Sequence, residues 1–192
     1  MSVRSLCVFC GASFGHDTKW KAAAARLGVG LAAAGITLVY GGSRSGLMGA
    51  VAEAALGAGG RVEGVIPRFF LPNEDPFAEV SELTVVEDMH TRKKLMFDKS
   101  DAFCVLPGGL GTLDETFEIL TWKQVGLHDK PVVMLNLDGY WTSWLELVDK
   151  IVDEGFAKPG VTGFYEVIDT VEEVLARLKS LKEPQHGHIS GV

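Results

Sequence analysis

Short apolar runs alternate with helical patterns along nearly the whole chain, and this alternation constrains its fold more than any other feature. Leu6-Cys7-Val8-Phe9, Ile36 to Tyr40, Arg61 to Ile66, Leu83 to Val86, Ala102 to Leu106, Pro131 to Leu137 and Val167-Ile168 read as strands. Helical patterns fall between them, over Lys19 to Ala34, Leu47 to Leu56, Met89 to Lys99, from Thr112 onward, over Tyr140 to Asp153 and over Val171 to Leu181. The last carries its own start signal, Thr170 with Glu173 three residues on. Parallel neighbours need a crossover between them, and helices in the crossovers cover both faces of the sheet. The expected fold is therefore α/β, a doubly wound, Rossmann-like parallel sheet with helices on both faces, as a single domain over residues 1–182. Residues 68–82 hold Pro72, Asn73, Glu74, Asp75 and Pro76 and read as a loop, and residues 183–192 read as a disordered tail.

Sheets of this kind bind ligands beyond the carboxyl ends of their strands. Three glycine-rich turns fall at that edge: Gly11-Ala12-Ser13-Phe14-Gly15, Gly41-Gly42-Ser43-Arg44-Ser45-Gly46 and Pro107-Gly108-Gly109-Leu110-Gly111. The third runs straight into a helical pattern with apolar Leu113, Phe117, Leu120 and Trp122. Free amides and the positive dipole end of a helix make that junction an anion site.

Several familiar chemistries drop out. The 41–46 turn spaces its outer glycines as a P-loop does, but Leu47-Met48 stand where Lys-Ser/Thr is required. No G-x-G-x-x-G follows the first strand, so the usual NAD fingerprint is missing. The 11–15 turn matches the G-x-S-x-G of serine hydrolases, yet a first-strand position leaves little sheet beneath it, and Ser13 reads better as a hydroxyl lining the cleft. Cys7-Val8-Phe9-Cys10 is a C-x-x-C within a strand, where residues three apart point to opposite faces. It makes neither a redox pair nor a zinc site. No lysine is placed for a Schiff base. A net charge of −7 argues against a nucleic-acid partner. No apolar run approaches the roughly 20 residues of a membrane helix. Three cysteines without an export signal fit reduced thiols in the cytoplasm.

Two polar residues carry the sharper question. In the 89–97 helix, Met89 and Met96 lie seven apart, with Arg92 and Lys93 on the stripe between them. Arg92 either snorkels to water or points into the cleft, where it could grip a phosphate or carboxylate in a bidentate fork. Glu115 sits three residues after Thr112, a capping-box spacing that would account for it without any function. A phosphate held at residues 109–112 would, however, face a second anion there, and two such charges at about 4 Å repel by about 4 kcal/mol at an effective dielectric near 20. Nearby cations, and a carboxylate turned toward a carbon that becomes positive, would resolve that conflict; glycosidic cleavage uses a carboxylate in this way.

Pro107-Gly108-Gly109-x-Gly111-Thr112-x-x-Glu115, preceded by Met89-x-x-Arg92-Lys93, resembles the paired signature of the LONELY GUY (LOG) family of cytokinin riboside 5′-monophosphate phosphoribohydrolases. The similarity extends through Gly11-x-Ser13, Gly41-Gly42-x-x-x-Gly46-Leu47-Met48-Gly49, Thr121-Trp122-x-Gln124-x-Gly126-x-His128, Lys130-Pro131, Asp138-Gly139-Tyr140 and Glu154-Gly155-Phe156. Leu110 and Asp114 fill variable positions. The resemblance implies hydrolysis of AMP or an isoprenoid-substituted AMP to free base and ribose 5-phosphate, without metal or organic cofactor, by a homodimer or larger assembly whose site the partner subunit helps to complete. It implies Arg92 and Glu115 as the catalytic pair; in the mechanism expected for them, Arg92 anchors the substrate and, as a neighbouring cation, keeps Glu115 ionised. Glu74, Met89, Lys93, Gly108, Gly109, Leu110, Gly111, Thr112 and Thr121 match substrate contacts, and Ser13 and Gly42 would line the same pocket. A non-catalytic nucleotide carrier or sensor built on the same turn is the alternative.

Overall fold

Seven strands pair, all in parallel, in the order β4-β3-β2-β1-β5-β6-β7. The structure is a computed structural model that describes residues 3–72 and 76–181. The strands are β1 (Ser5–Phe9), β2 (Thr37–Tyr40), β3 (Val62–Pro67), β4 (Glu82–Val86), β5 (Ala102–Val105), β6 (Val132–Leu135) and β7 (Glu166–Ile168). The helices are α1 (Thr18–Ala33), α2 (Gly46–Gly57), α3 (Met89–Asp98), α4 (Leu110–Gln124), α5 (Thr142–Asp153) and α6 (Val171–Ser180). The chain steps outward from β1 to β4, then returns to lay β5 on the other side of β1, with Leu6 opposite Ala102 and Phe9 opposite Val105. The order therefore reverses between β1 and β5, and a crevice opens beyond their carboxyl ends.

Alternation along each strand builds two cores. Leu6, Val8 and Cys10 face one layer, packed with Leu27 of α1, Val51 of α2 and Val174 of α6. Cys7 and Phe9 face the other, packed with Met96 of α3, Ile119 of α4 and Trp144 and Val148 of α5. Each large side chain buried this way is worth about 1.5–3 kcal/mol over its exposed state. The cysteines of the C-x-x-C thus fall in different layers, as strand geometry requires, and all three thiols are free and buried. Thr170 caps α6, its hydroxyl accepting the Glu173 N–H at 3.2 Å.

Strand positions agree with the pattern in the sequence to within one or two residues. The 68–82 segment, expected as a loop, opens with a short 3-10 turn over Arg68–Phe70. The main displacement is at α4, which starts at Leu110 with Gly109 as its N-cap, two residues before Thr112. The expected tail from 183 onward lies outside the described residues. Among the described residues, no helix is long and apolar enough to cross a membrane.

Candidate active site

The turns after β1, β2 and β5 meet at the point where the strand order reverses. Gly11 N–H donates to Pro107 O at 3.1 Å, and Leu47 N–H at the start of α2 donates to Gly11 O at 3.0 Å. Together they enclose a cleft of about 580 Å³. Its polar side is the 107–112 turn and the opening of α4, whose first amides lack a carbonyl one turn behind them. Its other walls are apolar, formed by Phe14, Trp20, Met48, Phe70 and Met89.

Arg92 and Glu115 meet in the wall of this cleft, each only 8% exposed. Arg92 comes from α3, which Asp88 caps through the Thr91 N–H at 2.8 Å. Its Nε donates to Val65 O at 3.1 Å and its Nη2 to Gly41 O at 3.0 Å. Gly41 follows the end of β2, and Val65 lies within β3 just past the last residue paired with β2. Arg92 thus points inward rather than snorkelling, and its Nε–Nη2 edge, one of those that could fork onto a ligand, is already committed. The Nη1 side remains, 3.7 Å from Glu115 Oε1. Gly41 leaves the guanidinium its space, since a Cβ there would collide with Arg92 Nη2.

Glu115 does not serve a capping box. Thr112 is the third residue of α4, not its cap, and its carbonyl accepts the Thr116 hydroxyl at 2.7 Å. Gly109, in extended conformation, starts the helix instead. Burial pushes the Glu115 carboxyl up from 4.5 to about 7, more than Arg92 pulls it down. Arg92 lowers the carboxyl as expected of a neighbouring cation, but desolvation outweighs it, so Glu115 is not held in the ordinary carboxylate range.

Lys93 is directed elsewhere. Its Nζ lies 3.1 Å from Asp114 Oδ2 and 3.2 Å from Glu118 Oε1, linking α3 to α4 outside the cleft lining. It neutralises two carboxylates that would otherwise push Glu115 higher still. Lys93→Met should therefore move the acid limb of the pH–activity profile to higher pH, while Lys93→Arg should keep it near the wild-type position.

Of the residues singled out in the sequence, Ser13, Met89, Arg92, Gly108, Gly109, Leu110, Gly111, Thr112 and Glu115 line the cleft. Gly42 lies beneath it with a positive φ of 79°, packed so closely that a Cβ would come within 3.0 Å of Ile66 Cβ. Thr121 is exposed on α4, away from the lining, and Glu74 lies outside the described residues. Among the described residues, no histidine lines the cleft beside Ser13. Sequence reasoning missed Tyr140, whose hydroxyl donates to Gly108 O at 2.6 Å, and the aromatic wall. The Asp138-Gly139-Tyr140 turn was the only signal for the former.

A helix start with free amides at the switch point of a parallel sheet, with a buried carboxylate and guanidinium beside it, makes this an α/β protein whose cleft has the features of an anion site. The solved structures it resembles share this fold. The molybdenum cofactor binding protein of Rippkaea orientalis matches with a TM-score of 0.70 and 23% identity over 94% of this chain and 98% of that one. The molybdenum cofactor carrier protein of Chlamydomonas reinhardtii matches with a TM-score of 0.68 and 22% identity over 91% and 95%.

Residues 48–178 match the family described as "Possible lysine decarboxylase". The cytokinin riboside 5′-monophosphate phosphoribohydrolase LOG1 of Arabidopsis thaliana is 43% identical over 97% of this chain and 87% of its own length. LOG3 of the same plant is 46% identical over 92% and 82%. The chain belongs to the LOG family. Among the described residues, no lysine lines the cleft.

Proposed function

We propose that this chain hydrolyses the N-glycosidic bond of a nucleoside 5′-monophosphate, AMP or an AMP carrying an isoprenoid group on its exocyclic amine, to free base and ribose 5-phosphate. The observation that carries this reading is the Arg92–Glu115 pair, buried in the same cleft as the amide-rich start of α4. Glu115 lies five residues into the helix from Leu110, about 7.5 Å along the axis, a span of the same order as that from a 5′-phosphate to its anomeric carbon. The amides at residues 110–112 and the helix dipole hold the phosphate. The carboxylate, farther in, faces the sugar.

As the bond between C1′ and the base nitrogen breaks, its electrons leave with the base and C1′ becomes cationic. Glu115 stabilises that charge and orients the attacking water. The water hydroxyl joins C1′ and its proton passes to the departing base. A carboxyl near pH 7 suits the proton-handling part of this step. Arg92, fixed by the carbonyls of Val65 and Gly41, keeps the carboxylate aimed. The apolar wall of Phe14, Trp20, Met48 and Phe70 suits a base bearing a hydrocarbon substituent.

The working form in this reading is a homodimer or larger homo-oligomer. Leu110, 86% exposed, opens α4 at the cleft, and Phe117 on the same helix and Val125 just past its end are exposed apolar side chains as well. Light scattering should give a mass of at least two chains. Buried, free cysteines fit a cytoplasmic setting.

The decisive experiment incubates the protein with AMP and with isopentenyl-AMP and assays free base and ribose 5-phosphate. Stoichiometric release of both is expected. Inactivity toward every nucleoside monophosphate would sink the proposal, and saturable binding without turnover would identify a carrier instead.

A further inference from the structure

The turn after β5 has three successive carbonyls, and all three are taken. Pro107 O accepts the Gly11 N–H at 3.1 Å, Gly108 O accepts the Tyr140 hydroxyl at 2.6 Å, and Gly109 O accepts the Leu113 N–H at 3.0 Å. The amides of Leu110, Gly111 and Thr112 follow, with no intrahelical acceptor. An anion arriving here meets donors, while the oxygens that would repel it are bonded elsewhere. Two of those three bonds are made by backbone. The third depends on one side chain.

Tyr140 is itself well anchored. Its ring meets Trp20 edge-on at 5.4 Å and Trp141 at 4.8 Å. The turn bearing it is tied by the Trp141 N–H to Asn136 Oδ1 at 2.7 Å and by Lys19 to Asp138 at 2.9 Å. The Gly108 carbonyl and the Gly109 N–H share one planar trans peptide, so holding the first fixes the second. The turn also has little slack: a Cβ on Gly108 would strike Thr112 Oγ1 and come within 2.9 Å of Gly11 N.

We infer that Tyr140 is a positioning residue for the substrate phosphate, its hydroxyl completing the 107–112 turn as a cradle that presents only donors. The inference rests on reading the cleft as a nucleoside monophosphate site and adds a residue that acts on binding, not on the reacting atoms. Tyr140→Phe keeps the ring and its stacking and removes only the donor. The Gly108 carbonyl would then be free to turn toward the ligand.

The test titrates inorganic phosphate into wild type and Tyr140→Phe by calorimetry, and measures kcat and KM for AMP alongside melting temperatures. Phosphate affinity should fall about tenfold, and KM for AMP should rise by about the same factor with kcat changed less than about threefold. Equal phosphate affinity in the two proteins overturns the inference, as does a lost kcat with KM unchanged. A lower melting temperature with phosphate affinity intact would mark a merely structural tyrosine and also overturns it. If wild type binds phosphate yet hydrolyses no nucleotide, the hydrolase reading falls, while a tenfold difference in phosphate affinity still supports the role of Tyr140.

Discussion

Replacing Glu115 with glutamine should lower kcat on AMP about 10³-fold, the scale on which a preorganised charge at a reacting centre is felt. KM should change little, because the proposed phosphate site is the start of α4 and not Glu115. The same variant should be more stable than wild type in alkali. Glu115 titrates near 7 in the folded protein against 4.5 for an unperturbed carboxyl. Between those values the folded state holds the proton more tightly than the unfolded state does. Folding stability from this group is therefore full below about pH 4.5 and declines as pH rises through 7, by about 3 kcal/mol in total. Glutamine cannot ionise, so Glu115→Gln should lack that decline. Urea unfolding of both proteins at pH 5 and pH 8 tests it: a wild type no less stable at pH 8, relative to the variant, would contradict the buried titration. Activity of wild type should rise along an acid limb near pH 7, and that limb should vanish with the carboxyl.

Arg92→Ala should damage both activity and fold. Its guanidinium serves Val65 O and Gly41 O and stands 3.7 Å from Glu115. Truncation leaves two buried carbonyls and a buried carboxyl without their partner, a loss of about 3 kcal/mol of stability. The carboxyl, deprived of its nearest cation, should also titrate higher, and kcat/KM at pH 7 should drop by about 10³-fold. Arg92→Lys should recover little, because a single ammonium cannot reproduce the fork that spans the carbonyls of Val65 and Gly41. Thermal melts with parallel kinetics separate the two effects. A variant as stable as wild type would show that the carbonyls find other donors. Substantial activity in Arg92→Lys would show that charge alone suffices.

Much of this was legible in the sequence because it is local. Strand runs, helix periods and glycine turns are written within ten residues of one another, and they led directly to a parallel sheet with its site at the carboxyl edge. The start of α4 was misread for a local reason too. Thr112-x-x-Glu115 imitates a capping box, whereas Gly109 caps through backbone geometry alone and carries no side-chain signal. The fate of Arg92 was hidden more deeply. Its partners are carbonyls on β3 and at the end of β2, distant along the chain and invisible to any periodicity. Lys93, expected at the substrate, instead found two acids on α4. Apart from Met89, the apolar wall could not be read, since Phe14, Trp20, Met48 and Phe70 come from separate segments gathered only by the fold.

The reversal of strand order between β1 and β5 has one more consequence. Residues 9–11 and 105–108, about a hundred positions apart, lie side by side there as the seam between the two halves of the chain. Each half brings part of the site: Gly41 and Gly11 from one, the 107–112 turn and Glu115 from the other, with Arg92 reaching across from α3. A ligand seated at this seam works as a rivet. Its binding free energy adds to the cohesion of the halves, so neither half alone is a smaller version of the enzyme, and occupancy should slow the opening of the sheet at its centre before its edges.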